Sequence, residues 1–319
     1  MTTSQDINRL GEVAVNIVDD YRNRRTPFKE VFGITTPITD QLETKRDKAL
    51  FLTLTTSLNR QRDAERLYSK FERLWYDEPW IFDPETLIED HTFDELAALF
   101  KREGTRYGTK DAEVWYEISR TLYREFDSDP MNLFDQFDYN RQEISEYVVN
   151  ASGDTRFFKH GRLFPALRGD KIRPVWLRLI SRQVRPLGQM NGADVAVDTH
   201  IREITNKILG RTYTNSAADK QEVREFWRRV CEPQDLMPIE TDGPLWYIHR
   251  DWDSWGKRYL QQKLREKGLE LGEVMSATVA EPVIPERTQY ETIDEWIDAV
   301  STQTKTDKTV LHAVVEALD

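Results

Sequence analysis

Residues 195–209 read Val-Ala-Val-Asp-Thr-His-Ile-Arg-Glu-Ile-Thr-Asn-Lys-Ile-Leu, with Gly210 next. A short apolar run ends on Asp198, and a helical pattern begins at once. Ile201, Ile204 and Ile208 recur at spacings of three and four, which places them on one face of a helix. Asp198 therefore stands at a helix N-terminus, where free N–H groups and the helix dipole favour a negative charge. On its own this predicts an N-cap whose carboxylate is held ionised. Gly210 closes the helix in the usual way.

The same reading extends outward. Ile7, Leu10, Val13 or Ala14, and Ile17 mark an amphipathic helix over 5–24. Residues 41–75 predict one or two helices with a bend near 55–59. The stretch 76–92 is rich in turn residues. Thr92-Phe-Asp-Glu reads as a cap before a helix to Phe100. Further helices are expected at 110–126, 131–150, 171–185, 199–209 and 218–231. Strand-type alternation is scarce, so the fold class is all-α. Residues 269–288 read as a linker, and two short helices are expected at 290–300 and 306–318.

The 319 residues carry a net charge of −11, and nine Trp with 12 Tyr argue against disorder. No apolar run approaches the roughly 18 residues of a transmembrane helix, and no membrane role is expected. The opening residues lack the basic-then-apolar order of a signal peptide, so a cytoplasmic location is expected. A single cysteine, Cys231, leaves no intramolecular disulfide and no multi-cysteine metal or iron–sulfur site. The charge is unevenly placed. Residues 156–185 hold nine Arg or Lys against Asp170 alone, and Arg60, Arg62, Arg66, Lys70 and Arg73 form a second basic group. Such groups are either solvated helix faces or phosphate-binding surfaces on an otherwise acidic molecule. His91 and His160 have no metal-ligand spacing.

The string Val197-Asp198-Thr199-His200-Ile201, followed by an Arg and a helix ending in Leu-Gly, closely resembles the catalytic Asp segment of the helix-hairpin-helix DNA glycosylases. This is the superfamily of endonuclease III and 8-oxoguanine glycosylase. Other segments fall in the same order over roughly 45–260. Phe51–Gln61 resembles the family's early helix. Gly104–Glu113 resembles its Gly-x-x-Tyr-x-x-Lys turn. Phe164-Pro-Ala-Leu-Arg-Gly-Asp-Lys-Ile resembles the hairpin, commonly Leu-Pro-Gly-Val-Gly followed closely by Lys. Leu245–Arg250 resembles the segment before the iron–sulfur loop. The hairpin departs from the pattern. Its first Gly is replaced, with Ala166 or Leu167 nearby, and Pro165 lies one residue too far from Gly169. Residues 185–192 look like a loop insertion. Trp252 stands about where the first cluster Cys would fall, so no iron–sulfur cluster and no cofactor are expected.

The resemblance implies two helical lobes with a helix-hairpin-helix motif at the cleft between them. The expected division is a barrel lobe over 45–165, a second lobe of 1–44 plus 166–262, and a tail over 263–319. It implies a base-excision glycosylase that flips a damaged base out of double-stranded DNA and breaks its N-glycosidic bond. Asp198 would stabilise the positive charge that develops on the sugar. Lys171 would be the amine nucleophile of an associated AP-lyase step through a Schiff base, its pKa depressed by Arg168, Arg173 and partial burial. Arg168, Gly169, Arg173 and Lys110 would contact DNA. Asn59 would fill the gap left by the flipped base, with Gln61 as the alternative. His200 is expected to orient the Asp segment or to pack locally. His249 and the aromatic run Trp246, Tyr247, Trp252, Trp255 and Tyr259 are expected to pack as structure. The alternative function is a catalytically silent DNA-binding protein that reuses the fold. The lesion, the oligomeric state and any protein partner are not inferable from the sequence.

Overall fold

The computed structural model describes residues 4–30, 36–60, 63–188 and 193–272, together with Thr292, Asp294, Trp296 and Ile297. The helices expected at 290–300 and 306–318 lie largely or wholly outside the described residues. In chain order the helices are α1 (Ser4–Arg22), α2 (Thr36–Gln41), α3 (Lys45–Ser57), α4 (Ala64–Asp77), α5 (Pro84–Glu89), α6 (Phe93–Arg102) and α7 (Thr109–Phe126). They continue as α8 (Pro130–Gln136), α9 (Arg141–Asn150), α10 (Ile172–Gln183), α11 (Thr199–Leu209), α12 (Ala217–Cys231), α13 (Asp242–Arg250) and α14 (Lys257–Arg265). The described residues contain no β-strand, only two isolated bridges. No helix among them is long and apolar enough to cross a membrane.

Local chemistry explains most of the boundaries. Thr44, Asp63, Asp83 and Asn140 accept backbone N–H bonds at the starts of α3, α4, α5 and α9. Thr92 and Glu95 satisfy each other's backbone groups in a full capping box. The bend expected near 55–59 is the break between α3 and α4. The helix expected over 131–150 is split, because Asp138 and Tyr139 both take positive φ between α8 and α9. The turn-rich stretch 76–92 contains α5, whose Pro84 sits at the start of the helix, where its missing N–H costs nothing. Helices α13 and α14 lie where no helix was expected.

Buried apolar side chains form two clusters. The first is built around α3, which is buried from Ala49 to Ser57, and takes in side chains from Ile38 to Ala193 together with Ile239. The second joins α1, through Leu10, Val13, Ala14 and Ile17, to α11, α12, α13 and α14. It is therefore made from two distant parts of the chain. Helix α10 belongs to the first cluster, because Trp176 is fully buried there and its indole N–H donates to Thr53 of α3 at 3.0 Å. Ile38 and Leu42 join the first cluster as well, so only α1 and the turn after it serve the second. The second cluster also runs past 262, since Leu264 and Leu269 are buried in it.

The expected hairpin is a turn directly before α10. Leu167 N–H donates to Pro165 O at 2.8 Å, and Gly169 N–H donates to Ala166 O at 3.0 Å. Ala166 has φ +64°, in the left-handed region. The turn is thus registered on Pro165-Ala166, with alanine where the resemblance places glycine. Residues 151–164 before it are bends, turns and irregular chain, with no helix leading directly into the turn.

Candidate active site

Lys171 and Asp198 stand immediately before α10 and α11, helices that belong to different clusters. Asp198 is the N-cap of α11, and its Oδ1 accepts the Ile201 N–H at 3.0 Å. Its other oxygen, Oδ2, lies 3.7 Å from Lys171 Nζ. The carboxylate is 15% exposed and the ammonium 38%, so the pair sits at the wall of an opening rather than on an outer face. The structure therefore brings together the two residues that the sequence offered as acid and amine.

The backbone that presents Asp198 is held from below. Val195 and Val197 are buried in the second cluster. Between them, Ala196 N–H donates to both oxygens of Asp242, each at 3.1 Å. Asp242 is the first residue of α13, and Arg178 of α10 lies 3.5 Å from its Oδ2. Complete burial pushes the Asp242 carboxyl up to about 7, against the opposing pull of Arg178. The Arg178–Asp242 pair ties α10 to α13 across the two clusters.

Both carboxylates line a cleft of about 1350 Å³ between the clusters. Its cations are Arg22, Arg24, Arg60, Arg106, Lys171, Arg178, Arg182, Lys220 and Arg250, against Asp40, Asp63, Glu65, Asp198, Glu240 and Asp242. The cleft is thus net positive in a protein of charge −11. Some of its charges pair: Arg22 with Glu240, and Arg250 with Glu65 and Asp251. Arg182 is pulled down to about 10 by desolvation and by the neighbouring Arg178, and remains a cation at neutral pH. Aromatic rings face the same space. Tyr21, Tyr68, Trp246 and Tyr247 are in the wall, and the Arg250 guanidinium lies 5.3 Å from the Trp246 ring and 4.8 Å from the Tyr247 ring.

Next to Asp198, His200 Nδ1 and His249 Nδ1 are 3.0 Å apart, so one ring donates and the other accepts. Burial pulls both imidazoles below their ordinary range. His200 also lies 4.9 Å from the Trp246 ring. The histidine pair thus packs α11 against α13. Of the aromatic run, Tyr247 and Tyr259 are buried in the second cluster, and Trp246, Trp252 and Trp255 pack partly buried against it.

Of the residues offered for DNA contact, Asn59 lines the cleft. Gln61 lies outside the described residues. Arg168 and Gly169 occupy the turn before Lys171 but not the cleft wall. Arg173 donates to the Arg168 carbonyl at 2.7 Å and faces a separate recess. Lys110 is exposed and pairs with Glu113 at 2.8 Å, away from the cleft. Its neighbour Arg106 lines the cleft instead. Sequence reasoning missed Asp242, Arg106, Arg250 and Trp246 as cleft residues. A usable signal existed for Arg178 and Arg182, because Lys171, Val175, Arg178 and Arg182 share one helical face.

No protein-family model matches the sequence, and no curated protein matches it.

Proposed function

We propose that this protein is a DNA glycosylase that excises a damaged or modified base from double-stranded DNA, with an associated AP-lyase step. The observation that supports it is the 3.7 Å approach of Lys171 Nζ to Asp198 Oδ2 at the wall of a cationic cleft. Cations in the cleft would hold the phosphate backbone, largely without regard to sequence. A flipped base would stack against Trp246, whose ring is only partly buried at the cleft wall. Asn59 would occupy the gap it leaves in the duplex. As the base departs, the sugar develops positive charge, and the Asp198 carboxylate stabilises it at close range. The Lys171 amine, its ammonium proton released to solvent, attacks the sugar carbon as the bond to the base breaks, and the base leaves with a proton from water while Asp198 stays ionised. Ring opening then gives a Schiff base from which the strand can be cut.

The test is borohydride trapping on oligonucleotides that carry oxidised, deaminated or alkylated bases. A covalent adduct with the wild type and none with Lys171→Gln is the expected result. Base release without trapping would leave Asp198 central and remove Lys171 from the chemistry. Binding with no release from any of these lesions would favour the silent DNA-binding alternative.

A further inference from the structure

Ion pairs cross from one wall of the main cleft to the other at different depths. Arg178 of α10 and Asp242 of α13 meet at 3.5 Å, with side chains only 14% and 6% exposed. Lys171 and Asp198 are intermediate in exposure. Arg250, the last residue of α13, pairs with Glu65 in the first turn of α4, and these side chains are 32% and 52% exposed. Helix α4 packs in the first cluster and α13 in the second, so this outer pair joins the two. All of these residues line the cleft. Walls that touch through an ion pair leave no room for a strand between its partners.

The two halves of the outer pair are built differently. Arg250 is fixed in place. Asp251 accepts from its Nε at 3.1 Å and from its Nη2 at 2.7 Å, and the guanidinium lies over the Trp246 and Tyr247 rings. Its Nη1 is left to donate to Glu65. The C-terminal end of α13 suits a cation there, and the first turn of α4 suits the negative charge of Glu65. Glu65 is the half that can let go. Among the described residues its side chain has no other hydrogen-bond or ion-pair partner. An exposed pair is weak and screened by salt, whereas parting a buried pair strands two charges away from water. Of the contacts between the walls, Glu65–Arg250 therefore yields before Arg178–Asp242, and it yields beside the Trp246 ring.

We propose that Glu65 and Arg250 form a releasable latch across the mouth of the cleft, which parts to admit a polyanionic strand while the Arg178–Asp242 contact stays closed as the hinge. A phosphate of the incoming strand competes with Glu65 for Arg250 Nη1, and the Trp246 ring becomes open to a base. That the strand is DNA rests on the glycosylase reading, whereas the latch rests only on the ion pair and its place between the clusters. Glu65 thus holds the cleft shut against its ligand. Removing its carboxylate should tighten binding, and should do so only while Arg250 is present.

Two measurements on the full chain test this. Spin labels at Ser69→Cys on α4 and Asp253→Cys just after α13, both exposed positions, report the width of the mouth without DNA. Cys231 is buried and out of reach of the label. Glu65→Gln is expected to move population from a shorter to a longer distance, changing their ratio by up to about fivefold. Added salt is expected to act in the same direction on the wild type. Distances that are the same in Glu65→Gln and in its Glu65 parent would overturn the latch. Anisotropy titrations with undamaged duplex then follow admission. Glu65→Gln should bind up to about fivefold more tightly than the wild type, and this gain should vanish in an Arg250→Gln background. Asp63→Asn is the control, since it removes a carboxylate from the same wall and keeps the helix cap. An equal gain in the control, or a gain that persists without Arg250, means charge alone and overturns the proposal. Duplex that binds none of these proteins removes the glycosylase reading, and the label distances alone then decide the latch.

Discussion

Asp198 divides its carboxylate between two tasks. One oxygen closes the first turn of α11, and the other faces Lys171. Asparagine can keep the first role but not the second. Asp198→Asn is therefore expected to unfold within about 0.5 kcal/mol of the wild type. If the protein excises bases as proposed, base release is expected to fall about a hundredfold or more. Chemical denaturation and a release assay on the same preparation check both halves. Ala166 makes a different point at the same scale. An alanine at φ +64° carries a left-handed penalty of roughly 1–2 kcal/mol, part of which glycine's extra unfolded-state freedom would return. Ala166→Gly should stabilise the protein by up to about 1 kcal/mol, seen as a higher denaturation midpoint. The Asp198–Lys171 pair was legible because each residue sits in a recognisable local string. Asp242 was not, because its partners Ala196 and Arg178 are far away in sequence and nothing around Asp242-Gly-Pro announces burial.

At the scale of elements, long amphipathic helices were readable from apolar spacing, and α7, α11 and α12 fall within a residue of their expected starts. The short α2 and α5 were not, since one and a half turns show too little period to be told from a loop. The allegiance of α10 was also hidden. It depends on Trp176 meeting Thr53, a contact between side chains more than a hundred residues apart. The contact of α10 with α13 gives a pH prediction. The folded carboxyl of Asp242 titrates near 7, above the 3.8 of an ordinary aspartate. The folded state thus holds a proton that the unfolded state has lost between these values. The contribution of Asp242 to stability is full below about 3.8 and is lost as pH rises through about 7. The histidine pair works in the opposite sense, since burial depresses both rings and stability is lost as pH falls below their ordinary range. The Asp242 effect is therefore read as a difference. The stability of wild type minus Asp242→Asn should decline across this window and flatten above it, measured by denaturation at a series of pH values.

At the scale of the whole molecule, the acidic balance conceals a positive interior wall. The basic stretch 156–185 and the group at 60–73 pointed toward such a surface. Among the described residues they send only Arg60, Lys171, Arg178 and Arg182 to the cleft, while Arg22, Arg24, Arg106, Lys220 and Arg250 come from elsewhere. Sequence runs show where charge is dense along the chain, whereas a cleft collects single residues from many elements. If the cleft holds DNA, affinity for duplex should fall steeply with salt, and each lost phosphate contact should lower the slope of log K against log salt by about 1. Arg106→Gln is expected to weaken binding alike on damaged and undamaged duplex and to lower that slope, as read by anisotropy titrations at several salt concentrations.

The second cluster also has a history in time. Helix α1 is complete at Arg22, but the helices that bury Leu10, Val13 and Ile17 begin only with α11, and α14 ends at Arg265. At a synthesis rate of about 5–20 residues per second, α1 waits on the order of 10–50 seconds for its partners. The first cluster, by contrast, is drawn almost wholly from the chain between Ile38 and Ala193 and can close in the meantime. During synthesis the apolar stripe of α1 is therefore a natural hold for a chaperone, and the cleft between the clusters is the last part of the protein to come into being.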